Sequence, residues 1–168
     1  MGPRHVILHC AISLSVWSAG LAGSQAPPAG ALTGALRTHL AEERLDVVTA
    51  VRGLPLGVRQ ELQALFSSHA LEIATDIADA GGKFQPTGVA GTQLPMRRLV
   101  AAGCSVNYCL VYYERGGSAH TWHVGLFYWT PEATRLEWGA AAPGGLKTLA
   151  EVRAAVLSGA IKGPNKVW

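Results

Sequence analysis

Between Cys104 and His123 the chain gathers the residue types that carry acid–base, nucleophilic and metal chemistry: Cys104, Cys109, Glu114, His120, Thr121 and His123. A thiol beside an imidazole makes a nucleophile. Two imidazoles can hold a metal, and a carboxylate beside an imidazole can orient it as a base. Which of these combinations is possible depends on which side chains share a face, and so on the elements that carry them.

Residues 97–129 read as three antiparallel strands. Gly116-Gly117 reach the positive φ that a two-residue hairpin loop demands, and the flanking runs are rich in aromatic and β-branched residues. With those glycines as the loop, Arg115 faces Ser118, Tyr113 faces His120, Val111 faces Trp122 and Cys109 faces Val124; a four-residue loop from Arg115 to Ser118 keeps the same register. Alternation then puts Cys109, Val111, Tyr113, His120, Trp122, Val124 and Leu126 on a core-like face. Leu110, Tyr112, Glu114, Thr121, His123, Gly125 and Phe127 fall on the other. If helices cover only the first face, the second is partly open, and Tyr112, Glu114, Thr121, His123 and Phe127 are the candidate binding residues.

In that register His120 and His123 project to opposite faces, which argues against a shared metal. Glu114, Thr121 and His123 share a face near the hairpin end, where the carboxylate could orient the imidazole or simply belong to a solvated polar patch. Cys104 and Cys109 oppose each other across a four-residue loop, within bridging range, and a disulfide between them is expected.

That expectation depends on compartment. Residues 1–26 run from a short basic start through an uncharged apolar core, Val6 to Trp17, to small residues. This is the layout of a secretory leader, and the apolar run is too short to span a membrane. Cleavage after Ala22 is the first choice, with Ser24 and Ala26 as alternatives; a leader retained as an anchor is the rival reading. Removal takes Cys10 and leaves an even pair, which normally bridges in an oxidising compartment. Periplasmic or secreted placement follows, with no membrane span after leader removal. Whole-chain charge is +3, and loss of Arg4 makes it +2, too small a balance to imply nucleic acid or an anionic membrane. With 49% apolar and 15% charged residues, the chain is expected to pack as a globule.

The remaining chain supplies the supports. Residues 1–22 are the leader, 23–34 a Gly/Pro/Ala-rich linker and 35–168 a single domain. Residues 35–52 read as a helix through Leu36, Leu40, Val47 and Val51, although Glu43 interrupts the stripe and Leu45 lies opposite it. A second helix starts near Leu56 and carries Val58, Leu62, Leu65, Phe66, His69, Ile73 and Ile77; the rival reading ends it at Ser68 and makes 71–78 a strand. His69 on that stripe reads as a core histidine. Residues 83–96 are turn-rich. A fourth strand is expected over Arg135–Ala140. Thr148-Leu-Ala-Glu151 is a capping box that opens a final helix to about Ser158. Trp168 in the tail is expected to dock on its own domain. The fold class is therefore α+β: N-terminal helices, a four-stranded antiparallel meander and a C-terminal helix, with the helices on one face.

One short resemblance bears on function. His123-Val-Gly-Leu-Phe-Tyr is similar to the histidine strand of NlpC/P60 cysteine peptidases, and Gly103-Cys104-Ser105 faintly resembles that family's cysteine motif. Carried over, the resemblance implies Cys104 as nucleophile and His123 as base of a cell-wall peptidase-like hydrolase. In the family the cysteine opens a helix well upstream, whereas here 18 residues separate the two, both in strand-like sequence, and no second histidine follows. The sequence holds no P-loop, GxGxxG or GxSxG. The reading favoured by the residues is a non-enzymatic binding or accessory domain of the exported protein, without a cofactor, facing an unknown protein or cell-envelope ligand. The Cys/His hydrolase is the alternative.

Overall fold

The protein is described here by a computed structural model covering Gly2 and residues 32–67, 77–88 and 93–163. Apart from Gly2 the expected leader, most of the linker, His69, Ile73 and the Trp168 tail lie outside the described residues.

Helix α1 (Gly34–Glu42) is followed by a short strand β1 (Asp46–Val48), a 3-10 turn (Val51–Gly53) and helix α2 (Leu56–Ser67). Strands β2 (Ile77–Ala78), β3 (Arg97–Cys104), β4 (Tyr108–Arg115), β5 (Thr121–Trp129) and β6 (Thr134–Ala142) precede the final helix α3 (Leu149–Leu157). The architecture is mixed α+β. Strands β3 to β6 form a meander, but the sheet is six-stranded, because β1 and β2 both pair with the outer edge of β3. β1 runs antiparallel along residues 102–104, and β2 runs parallel along residues 97–98.

Both faces of the sheet are covered, which corrects the expectation of one open face. Leu36 and Leu40 of α1 and Val152 and Val156 of α3 pack on Leu110, Tyr112, Val124, Leu126 and Trp138. On the reverse, Val58, Leu62 and Phe66 of α2 pack on Leu99, Val111, Tyr113 and Phe127. Two bulges keep apolar residues aligned with both layers. Val100 is the extra residue of β3, and a second irregularity falls opposite Leu126/Phe127 on β6. The second lets Leu136 join the α2 layer and Trp138, two residues on, join the opposite one.

The first predicted helix ends early for a definable reason. Glu43 leaves helical geometry at φ −72°, ψ 140°. Its side chain contacts His39 at 2.5 Å and accepts from the Ser105 hydroxyl. Arg153 of α3 donates to the carbonyls of Leu40 and Glu43, satisfying acceptors that the last turn of α1 leaves open. Val47 and Val51, read as helical, belong instead to β1 and the 3-10 turn. α2 begins at Leu56 as expected, while Ile77 and Ala78 are strand, not a continuation of that helix. The capping box at Thr148 and Glu151 is present, and α3 has its cap at Ser158.

The β4–β5 register differs from the two-residue-loop expectation. Arg115 pairs with Thr121, Tyr113 with His123 and Cys109 with Phe127, so five residues, 116–120, connect the strands. The offset is three positions, an odd number, and it exchanges the faces of β5 relative to β4.

Candidate functional site

The register decides which chemical groups meet. Tyr112 and Glu114 lie on the α1/α3 face with Trp122 and Val124, while His123 and Phe127 lie on the α2 face with Tyr113 and Cys109. Tyr112, Glu114, His123 and Phe127 are all buried, and only Thr121 is partly exposed. The five residues read as one binding face are thus divided between two faces and mostly enclosed.

Glu114 meets a histidine, but it is His120. One carboxylate oxygen accepts from Arg98 Nε at 2.7 Å, and the other faces His120 Nε2 at 2.8 Å. The His120 ring stacks on Trp122 at 4.4 Å, and the Arg98 guanidinium lies 4.3 Å over Phe84. The carboxylate is therefore committed on both oxygens, and the imidazole is held at its edge and its face. This cluster clamps the hairpin end to the segment around Phe84. His123 instead stands 2.9 Å from Thr121 Oγ1 and stacks on Tyr113 at 5.2 Å.

Tyr112 donates to the Pro143 carbonyl at 2.7 Å. Burial first, and then the nearby Glu114 carboxylate, push its phenol up from 10.0 to about 12. A phenol whose folded-state value is raised contributes stability that is fully present below its unfolded value and is lost as pH rises through the folded one. Stability is therefore expected to fall between pH 10 and about 12. Tyr112→Phe should flatten that limb in a pH series of thermal melts.

Cys104 and Cys109 are directly paired between β3 and β4 and joined by a disulfide. The sulfur that the hydrolase reading needs as a nucleophile is bonded. The disulfide and His123 stand four residues apart along the strand, about 13 Å at the normal rise. The structure does not bring Cys104 and His123 together. Closing so small a loop contributes about 2 kcal/mol in the chain-entropy account. Replacing both cysteines by serine should lower stability by about that much and leave the domain folded, as read by denaturant melts. Two reactive thiols in the native protein would overturn the bridge.

Beside the bridge, Ser105, Glu43, His39 and Tyr108 form a group that sequence reasoning did not single out. The Ser105 hydroxyl donates to Glu43, and Ser105 Oγ accepts from the Tyr108 N–H at 3.1 Å. His39 contacts the other oxygen of Glu43 and stacks on Tyr108 at 4.5 Å. A serine nucleophile needs the imidazole at its proton, whereas here a carboxylate stands between the two. The group ties the end of α1 to the β3–β4 turn.

An open groove lies at this same end. At about 890 Å³, it runs from β1 across the end of the sheet to the β5–β6 turn, with the first turns of α2 as its wall. A smaller hollow of about 630 Å³ adjoins it and shares Asp46 and Cys104. Val47 and Leu56, 69% and 61% exposed, line the groove, and Val106, 82% exposed, lines the hollow. Val47 and Leu56 thus add exposed aliphatic surface to the walls of the groove, and Val106 adds it to the hollow. The sequence hint was misleading for Val47, which read as part of a helical stripe with Leu36, Leu40 and Val51 but sits on a three-residue edge strand, and slight for Leu56, which opens a helix outside its apolar stripe.

Among the described residues no three His, Cys, Asp or Glu side chains converge as a metal set, and no helix is long and apolar enough to cross a membrane. Comparison with protein-family models, curated proteins and solved structures returns no match to this chain, so the functional reading rests on its own geometry.

Proposed function

We propose that this is the folded domain of an exported protein that binds a partner without catalysis, and that the groove beside the disulfide is its contact surface. The observation that carries the reading is the exposure of Val47 and Leu56 on the walls of one open groove. Export is supported by the leader-like order of residues 1–26 and by the bonded cysteines. The Cys/His hydrolase finds no support in the geometry, since its nucleophile is tied up and its base is enclosed on another part of the sheet.

The test places a photocrosslinking residue at Val47, at Leu56 and, as control, at exposed Lys147, in the protein expressed in its own cell. Fractionation and N-terminal sequencing of the same material check export. A discrete adduct from positions 47 and 56, absent from 147, is the expected result. Equal labelling at all three positions, or none at the groove, would remove the groove as the contact surface. A cytoplasmic protein beginning at Met1 would remove export.

A further inference from the structure

The groove's charge opposes that of the whole chain. Asp46, Glu61 and Glu132 line it, and no lysine or arginine does, while the chain carries a formal +3. The acids are spread out: Asp46 is on β1, Glu61 on α2 and Glu132 on the β5–β6 turn. They do not converge as a metal set. Separated carboxylates suit separated cations, and cations spaced along a chain are lysine or arginine side chains.

The apolar part is equally specific. Its exposed members, Val47 and Leu56, are aliphatic, which suits aliphatic side chains of a partner. The groove crosses from β1 past β3 and β4 to the end of β5, three inter-strand spacings. That is about 14 Å, the length of roughly four or five extended residues. Arg44 pairs with Asp46 at 3.1 Å, but the two side chains are 91% and 78% exposed. Such a pair is weakly held and readily exchanged for an incoming cation.

Building on the groove reading, we propose that its occupant is an extended segment of a partner protein in which basic and aliphatic residues alternate. Aliphatic side chains lie on Val47 and Leu56, and lysine or arginine side chains reach Asp46, Glu61 and Glu132. Complementary charge of this kind sets partner choice and association rate as much as affinity.

The probes are two synthetic peptides, acetyl-Leu-Lys-Val-Lys-Leu-amide and its glutamate counterpart, titrated into the isotope-labelled protein and followed by amide chemical shifts. The basic peptide is expected to move amides of Val47, Leu56 and Glu61 and to lose at least tenfold in affinity between low and high salt. The combined variant Asp46→Asn, Glu61→Gln, Glu132→Gln should lose a similar factor while keeping its melting temperature. Val47→Lys, at an exposed position, should reject the basic peptide and favour the acidic one.

If the acidic peptide binds the groove as well as the basic one, or the triple variant keeps its affinity, the charge assignment falls and the groove reading stands. If neither peptide moves groove amides while crosslinks still form at Val47 and Leu56, the occupant is of another class and this inference falls alone. Concentration-dependent self-association through the same amides would assign the groove to a second copy of the chain and likewise overturn it.

Discussion

Gly116→Ala is expected to lower the stability of the domain by about 3 kcal/mol, at the upper end of what overpacking costs. A Cβ at Gly116 would stand 1.8 Å from the Gln85 carbonyl oxygen and 2.8 Å from Pro86 Cα. Those are backbone atoms and cannot swing aside. The approach is fixed from both sides, because Gly116 N–H donates to Met96 at 2.8 Å and Gly117 N–H donates to Pro86 at 3.3 Å. Gly117→Ala is the comparison. Its φ of 124° strains a side chain, yet the nearest atom to an added Cβ is the Met96 methyl at 3.6 Å. That variant should cost about 1 kcal/mol. Thermal melts should separate the two, with Gly116→Ala melting about 10 °C below the parent. Equal losses would mean that the Gln85 segment gives way to the added methyl, since Gly116 has no positive φ of its own.

The second large effect is expected at Glu114. Its carboxylate is 7% exposed and holds Arg98 and His120, whose side chains are 32% and 36% exposed. Truncation to alanine leaves Arg98 without its counter-charge and His120 without its carboxylate partner, and opens space among Trp122, Phe84 and the hairpin. Removing one member of a fully buried pair costs about 3 to 5 kcal/mol, and partial solvation of Arg98 and His120 reduces that to about 3 kcal/mol here. The loss should be non-additive with His120→Ala and with Arg98→Met, because all three changes break one network. A double-mutant cycle from denaturant melts reads that coupling. Strict additivity would show that Glu114 acts through its volume alone.

These two predictions also mark where the sequence was readable and where it was not. Local signals carried well: Thr148 and Glu151 for the start of α3, Leu56 for the start of α2, and opposed cysteines across a short turn. Each is decided within a few residues of chain. The β4–β5 register is not a local matter. Gly116-Gly117 has the composition of a tight turn, but Gly116 is glycine because Gln85 passes against it, and Gln85 lies far back in sequence. The turn is consequently longer and the register odd, which exchanged His120 for His123 as the partner of Glu114. Burial of the expected binding face had the same origin. Alternating sequence shows that a strand has two faces but not how many helices are available to cover them; the β4 residues of the expected open face went under α1 and α3, and its β5 residues His123 and Phe127 under α2. The end of α1 was half visible. Glu43 and Leu45 did break the apolar stripe, but the side chains that exploit the break, Ser105 and Arg153, come from elsewhere in the chain.

The way β1 and β2 share one edge of β3 has a consequence for the order of assembly. Among themselves, strands β3 to β6 pair in sequence order, so residues 97–142 can form by successive hairpins with short loop closures. Among the described residues, the N-terminal strands join that sheet through three residue pairs from β1 and two from β2, all on β3. Contacts so distant in sequence form late and slowly, after the meander offers an edge to receive them. The same asymmetry acts in the folded protein: amides of β4 and β5, paired on both sides, should exchange with solvent only on global unfolding, while those of β1 open locally. The wall of the groove would then be the least protected part of the sheet, free to adjust to an occupant while the centre holds its shape.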